Sequence, residues 1–119
     1  MILEKGSKVL AVHRRLFETD HSRFFIGVVD GYEDGLARIT GTTWLRDQVS
    51  GSYRVKKDER TKILSLTSGT CIFYELPMTT DLSAITFSTD GHGGVFMTDG
   101  GALRMDLTER MDLATNSPL

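Results

Sequence analysis

The stretch TSGTCIFYELP, residues 67–77, carries the two signals that decide the fold class. Its first four residues are small polar types that favour a turn, and Cys71 to Leu76 is rich in residues that suit a pleated strand. Pro77 has no backbone N–H to give to a ladder, and it ends that strand. Lys62 to Leu66 has the composition of a strand on the other side of the turn. The stretch therefore predicts a strand, a tight turn and a second strand.

The chain before this unit has the same pattern of short strands. Strands are predicted at Lys8 to His13, Phe24 to Tyr32 and Leu36 to Thr43, with an Asp-Gly turn between the last two. Gly27, inside the second strand, suggests a bend or a close backbone contact. After Trp44 the polar segment RDQVSGSY predicts a loop. Five short strands within about 70 residues are typical of a small closed barrel, so residues 1–77 are predicted to form one.

Residues 78–119 carry a smaller β pattern. Strands are predicted at Leu82 to Phe87, Val95 to Met97 and Leu103 to Leu107. The turns TDG at 89–91 and TDG at 98–100 separate them, since Asp-Gly readily supplies the positive φ that hairpin turns need. We expect an all-β fold in which this C-terminal meander extends the barrel and packs on it as one structural unit.

Composition excludes several classes of protein. With 119 residues, 39% hydrophobic and 25% charged residues and a net charge of −2, the chain matches one ordinary globular domain. No apolar run approaches the ~20 residues that span a bilayer, so no membrane partner is expected. The first residues lack the basic-then-apolar layout of a secretory signal, which makes a cytoplasmic location the expectation. The lone Cys71 is predicted to be a buried structural thiol and not a reactive one.

Residues that could carry catalysis or bind a metal are few. The three histidines, His13, His21 and His92, are scattered, whereas a zinc site needs three or four converging ligands. The segment DGHGG around His92 lies between predicted strands and not at the start of a helix, so it is interpreted as a hairpin turn and not as a phosphate loop. We expect no metal, no cofactor and no enzymatic activity.

The basic run RVKKDERTK, residues 54–62, is the one segment with a concentration of positive charge. Acidic and polar residues interrupt its field, so a solvated strand face or loop is the favoured interpretation. A nucleic-acid-binding patch is the alternative, because clustered Lys and Arg bind the phosphate backbone.

Two segments resemble the signatures of the Sm and Sm-like protein family. GVVDGYEDGLARI, residues 27–39, is similar to the first signature in its Gly, its aliphatic residue two positions later, its aromatic, its acid and its later aliphatic position. SGTCIFYELP, residues 68–77, is similar to the second signature, an Arg-Gly followed by an aliphatic residue, a Tyr and a Pro. With the KVLAV strand the resemblance spans residues 8–77. It implies an SH3-like, Sm-like five-stranded barrel and assembly of subunits into a ring.

The RNA pocket of that family is not kept in this sequence. The family builds it from an Asp, a stacking side chain, an Asn and an Arg, and the matching positions here are Glu33, Gly35, Ala37 and Ser68. Glycine cannot stack on a base, alanine has no side-chain hydrogen bond, and serine has neither a charge nor a stacking plane. The resemblance therefore implies the fold and the ring without the usual uridine pocket.

Other binding candidates lie near strand ends. Trp44 and Arg46 follow the third strand beside the predicted loop, although an aromatic there also suits the core or a subunit contact. Tyr32 precedes a turn, where a surface role is an alternative to a core role. The complete set of candidate binding residues is Tyr32, Glu33, Gly35, Ala37, Trp44, Arg46, Ser68 and Gly69.

The resemblance also implies where subunits would meet. In Sm-like proteins the strand after the second-signature turn pairs with the preceding strand of the neighbouring subunit. The corresponding interface residues here are Lys62, Leu64, Leu66, Ile72 and Tyr74. The leading hypothesis is a non-enzymatic interaction module that forms a homo-oligomeric ring. The alternatives are an RNA- or single-strand-binding protein that uses another surface, such as residues 54–62, and a small-ligand-binding barrel.

Overall fold

The computed structural model describes residues 2–14, 22–47, 49–90 and 92–108, which form two antiparallel sheets. His21 and residues 109–119 lie outside the described residues. The all-β prediction is confirmed. The first sheet contains β1 (Lys8–His13), β2 (Arg23–Glu33), β3 (Leu36–Arg46), β4 (Tyr53–Val55), β5 (Arg60–Ser65) and β6 (Cys71–Leu76), and the second contains β7 (Thr86–Thr89), β8 (Val95–Thr98) and β9 (Arg104–Asp106).

The first sheet has the strand order β4-β3-β2-β1-β6, and β5 also pairs with β3. Trp44 to Arg46 pair with β4, whereas Leu36 to Gly41 pair with β5, so β4 and β5 follow one another along the same edge of β3. The last strand lies beside the first, because β6 pairs with β1 from Lys8 to His13. No ladder joins β5 to β6 within the described ranges, so the predicted closed barrel is not observed and the sheet is open.

The inner face of this sheet carries one apolar core. Leu64 of β5 and Phe73 of β6 pack against the same cluster, although these two strands are the outermost ones in the sheet. Both ends of the sheet therefore contribute to this cluster. The buried residues of this inner cluster are Val9, Ala11, Phe25, Val29, Ala37 and Ile39.

The outer face of the first sheet is covered by the second sheet. Phe87 of β7 and Met97 of β8 are buried against Leu10 and Phe24 of the first sheet. Ile85 and Leu107 are buried in the same outer cluster. The apolar residues of the meander thus pack against the outer face of β1 and β2. Successive residues of these two strands are buried on opposite faces of the sheet.

The pairing of β2 with β3 confirms the close backbone contact predicted at Gly27. Gly27 lies directly opposite Gly41 in the register. A Cβ atom on Gly27 would be 2.8 Å from the Gly41 Cα, closer than Cβ atoms in proteins approach another heavy atom. Both residues are therefore glycine because the two backbones approach too closely for a side chain.

The predicted strand at Leu82 to Phe87 is wrong in its first half. Leu82–Ala84 forms a 3-10 turn, and the strand begins only at Thr86. Asp81 caps that turn, since its Oδ1 accepts hydrogen bonds from the Ser83 backbone N–H at 3.1 Å and from the Ser83 hydroxyl at 2.6 Å. A local side-chain bond of this kind competes with strand pairing.

Candidate functional site

The two Asp-Gly turns of the C-terminal meander are held by their aspartates. The Asp90 Oδ1 accepts from the backbone N–H of His92 at 2.7 Å and of Gly94 at 3.0 Å. The Asp99 Oδ1 accepts from the Gly101 N–H at 2.8 Å. These backbone hydrogen bonds lower the pKa of both carboxyl groups. Asp90 and residues 92–94 accordingly lie between the antiparallel strands β7 and β8, where the sequence predicts a hairpin turn.

The positions that match the Sm-family pocket lie in or beside two neighbouring turns. The Gly35 carbonyl accepts a hydrogen bond from the Leu66 N–H at 2.8 Å, which joins the β2–β3 turn to the turn of residues 66–70. Gly35 has φ +81°, and Ala37 is fully buried in the inner cluster. Glu33 is exposed, and the Ser68 hydroxyl lies 2.8 Å from the Thr70 hydroxyl within its own turn. These four positions offer no stacking plane and no cation to a base.

Oligouridine is therefore expected to bind no better than oligocytidine of equal length at physiological salt. Gly35 and Ala37 cannot distinguish bases, and Ser68 adds no phosphate contact. Fluorescence anisotropy with the two labelled oligomers measures the difference directly. A preference for uridine of tenfold or more would show that a pocket of another composition exists.

The other candidate residues are separated from one another. The Trp44 ring centroid lies 5.0 Å from that of Phe87, which places the indole against the outer cluster. The Arg46 Nε donates to the Gly51 carbonyl at 3.2 Å. Tyr32 is 39% exposed, and the Gly69 carbonyl accepts from Arg14 Nη1 at 3.1 Å.

A cleft that the sequence did not predict gathers basic side chains from three parts of the first sheet. It has a volume of about 240 Å³. Arg23 comes from β2, Thr43 and Leu45 from β3, Lys56 and Asp58 from the segment between β4 and β5, and Arg60 and Lys62 from β5 itself. The described residues that line this basic cleft are Arg23, Thr43, Leu45, Lys56, Asp58, Arg60 and Lys62.

The spacing of the lining residues follows strand geometry in part. Lys56, Asp58, Arg60 and Lys62 are every second residue of the basic run. Arg60 and Lys62 lie on β5, where alternate side chains point to the same side, whereas a bend at residues 57–58 separates Lys56 from that strand. On β3, Thr43 and Leu45 have the same spacing, and Arg23 lies opposite Leu45 in the β2–β3 register. The alternate spacing of these residues was the signal that the sequence offered for a shared site. The sequence did not show which strand the basic run would lie against.

Lys62 lies deepest among the cations of the basic cleft. Its Nζ is 4.5 Å from the centroid of the Phe25 ring and donates to the Thr43 hydroxyl at 3.3 Å. Burial lowers the pKa of Lys62, and the positive charges of Arg23, Lys56 and Arg60 lower it further. Three further cations therefore lie close enough to Lys62 to act on its charge.

Asp58 is the carboxylate in the cleft lining. Its Oδ2 is 3.3 Å from Arg60 Nη2, and both side chains are largely exposed. An exposed ion pair of this kind contributes little to stability. It leaves most of the positive charge of the basic cleft available to another anion.

His13 and Cys71 are brought together beside these cations. The two residues are opposite one another in the β1–β6 ladder, with the Cys71 Sγ 3.6 Å from His13 Nδ1. Burial is the main cause that lowers the pKa of His13, and Arg23 and Lys62 add to it. The His13 Nε2 is buried and has no hydrogen-bond partner among the described residues. Cys71 is half-buried, so the sequence prediction of a buried thiol holds only in part.

The part of the chain that the structure describes holds no group of three or more His, Cys, Asp and Glu side chains placed to bind a metal ion. It also holds no helix with the length and apolar character needed to span a bilayer.

The basic cleft brings together four cationic side chains, and it includes Lys62, which the family resemblance placed at a subunit interface. Comparison with known proteins gives no relative from which a role could be transferred: no protein-family model, no curated protein and no solved structure matches the chain.

Proposed function

We propose that this chain is a non-enzymatic, Sm-like interaction module that assembles head to tail through the edge strands of its first sheet. The strand arrangement supports an Sm-like topology, since β6 returns beside β1 and the β4–β5 edge lies at the other end of the sheet. The shared packing of Leu64 and Phe73 supports a barrel-like curl.

The observation that carries the proposal is the apolar surface on the two outermost strands. Ile63 on β5 is 64% exposed, and Ile72 and Tyr74 on β6 are 42% and 37% exposed. Each strand also has one edge with no ladder partner among the described residues. An unpaired strand with apolar side chains is a template for pairing with another chain.

The five interface residues expected from the sequence are not equivalent in this arrangement. Ile72 and Tyr74 present apolar surface to solvent, whereas Leu64 packs in the inner cluster and Lys62 lines the basic cleft. Leu66 is half-buried. Ile63 was not among the predicted residues, yet it is the most exposed apolar residue of the two strands. We propose that Ile63, Ile72 and Tyr74 make the side-chain contacts and that the strand backbones make the ladder.

A contact between β5 of one subunit and β6 of the next uses two different surfaces, so it is heterologous. Such a contact closes into a ring when the rotation between subunits permits. The C-terminal meander does not substitute for this pairing among the described residues, because β7, β8 and β9 pair only with one another.

Replacing Ile72 by lysine is expected to break the assembly into smaller species. The ammonium group would be forced into an apolar strand contact, where burying it without a partner is costly. Light scattering coupled to size exclusion at micromolar concentration gives the mass, which is 13.2 kDa for one chain.

Val49→Lys is the matched control, because Val49 is 98% exposed and lies in the loop between β3 and β4. It should leave the mass unchanged. A wild-type mass of one chain at all concentrations would rule out assembly through the edges.

A further inference from the structure

We infer that the basic cleft is a binding site for a ligand that carries two linked phosphate groups, with inorganic pyrophosphate as its simplest form. The basic cleft shares strand β5 with the proposed edge contact, through Arg60 and Lys62, but it uses other side chains than Ile63, Ile72 and Tyr74, and the inference does not depend on ring formation. It rests on the charge, the size and the chemical character of the cleft lining.

The charge of the lining matches a multiply charged anion. Arg23, Lys56, Arg60 and Lys62 surround a single carboxylate, that of Asp58, which is paired with Arg60 at the rim. Placing four cations within one small cleft is unfavourable without a counter-charge. The lowered pKa of Lys62 is consistent with this crowding. Arginine and lysine together are the side chains that bind phosphate oxygens through charge-assisted hydrogen bonds.

The size of the cleft selects a compact group. Its volume of about 240 Å³ is below the roughly 300 Å³ at which sites for drug-sized ligands begin. A phosphate pair fits inside such a space, whereas a nucleoside attached to it would extend into solvent.

The lining also lacks what a nucleic acid needs for recognition of its bases. Among the described lining residues none is aromatic, and Phe25 is covered by the Lys62 ammonium group. Proteins that bind single strands combine cations with aromatic platforms on which bases stack. The cleft therefore recognises phosphate charge and not a base.

Isothermal titration of the full chain with sodium pyrophosphate tests the inference. Lys56→Gln and Arg60→Gln should each weaken pyrophosphate binding about tenfold or more, because each removes a charge-assisted hydrogen bond. Lys57→Gln is the matched control: Lys57 neighbours Lys56, has the same charge and is exposed, but it does not line the cleft. It should change the affinity by less than about twofold. Asp58→Asn should tighten binding, because it releases Arg60 from its internal partner.

Further results of the titration each support or overturn the inference. A nucleoside diphosphate that binds as tightly as pyrophosphate, whichever base it carries, supports the inference, since the nucleoside then lies outside the cleft. No heat of binding at millimolar pyrophosphate with folded protein overturns it. An equal loss of affinity in Lys56→Gln and Lys57→Gln also overturns it. So does a single-stranded oligonucleotide that binds far more tightly than pyrophosphate and gains affinity with length, which would indicate a nucleic-acid track along residues 54–62.

Discussion

Alanine at position 41 is expected to destabilise the fold by about 4 kcal/mol or more, which is a large part of the stability of a small domain. A Cβ on Gly41 would lie 2.6 Å from the Gly27 Cα and in direct collision with the Ile26 carbonyl oxygen. Both atoms belong to the backbone of β2, so no side-chain rotation can relieve the overlap. The β2–β3 pair would have to separate at the centre of the sheet. Urea denaturation followed by circular dichroism measures the loss.

Gly31→Ala is the matched control for this change. Gly31 lies in β2, the strand that pairs with the one carrying Gly41, but the nearest heavy atom to a Cβ there is the Arg38 Nη1 at 3.9 Å. The free energy of unfolding of the Gly31→Ala variant should stay within about 1 kcal/mol of the wild-type value. Equal losses from the two substitutions would mean that the close approach of Gly27 and Gly41 is not what fixes the strand pair.

Phe87→Ala is expected to cost about 3–5 kcal/mol in the free energy of unfolding. The Phe87 ring stacks on Phe24 with centroids 4.6 Å apart and planes inclined by 8°, and it also contacts Trp44 and Tyr53. Removing it leaves a cavity between the two sheets, where the second sheet is held on the first. Thermal unfolding should show a single transition at lower temperature, together with loss of the near-ultraviolet signal of Trp44.

The contrasting substitution is Phe96→Ala, in the adjacent strand β8. Phe96 is half-buried, and its main described partner is the Arg104 guanidinium, 4.7 Å from the ring centroid. Its loss should cost no more than about 2 kcal/mol. If Phe87→Ala cost no more than Phe96→Ala, the second sheet would contribute little to the stability of the first.

Local residue patterns predicted the strands well where each strand is a continuous run of strand-forming residues. The predicted bounds of β1, Lys8 to His13, and of β6, Cys71 to Leu76, agree with the structure at both ends. The prediction failed at Leu82, because the Asp81 side chain stabilises a 3-10 turn that hydrophobic alternation does not report. The sequence prediction also missed β4. Tyr53–Val55 begins at the last residue of the segment that was predicted as a loop.

The basic cleft could not be predicted from the sequence, and the reason is different. The net charge of residues 54–62 is a sum over the whole run, whereas the cleft contains only Lys56, Asp58, Arg60 and Lys62 of it. Lys57 and Glu59 do not line the cleft, and a bend at residues 57–58 places the two halves of the run relative to each other in a way that a linear count does not report. Arg23 joins the cleft only through the β2–β3 register, and strand register is a property of the whole sheet.

The position of β1 between β2 and β6 has a consequence for the order in which the protein can fold during synthesis. On one side β1 pairs with β6, where Cys71 lies 58 residues after its partner His13. On the other side β1 pairs with β2, which is the next strand in the chain. A β1–β2 hairpin can form early, but β1 keeps one unpaired edge until β6 has been translated and released. The outer face of the hairpin stays uncovered for longer still, because Phe87 and Met97 are made last. Such long-range pairing is slow, and until it is complete β1, whose four central residues are buried in the folded protein, is open to other chains.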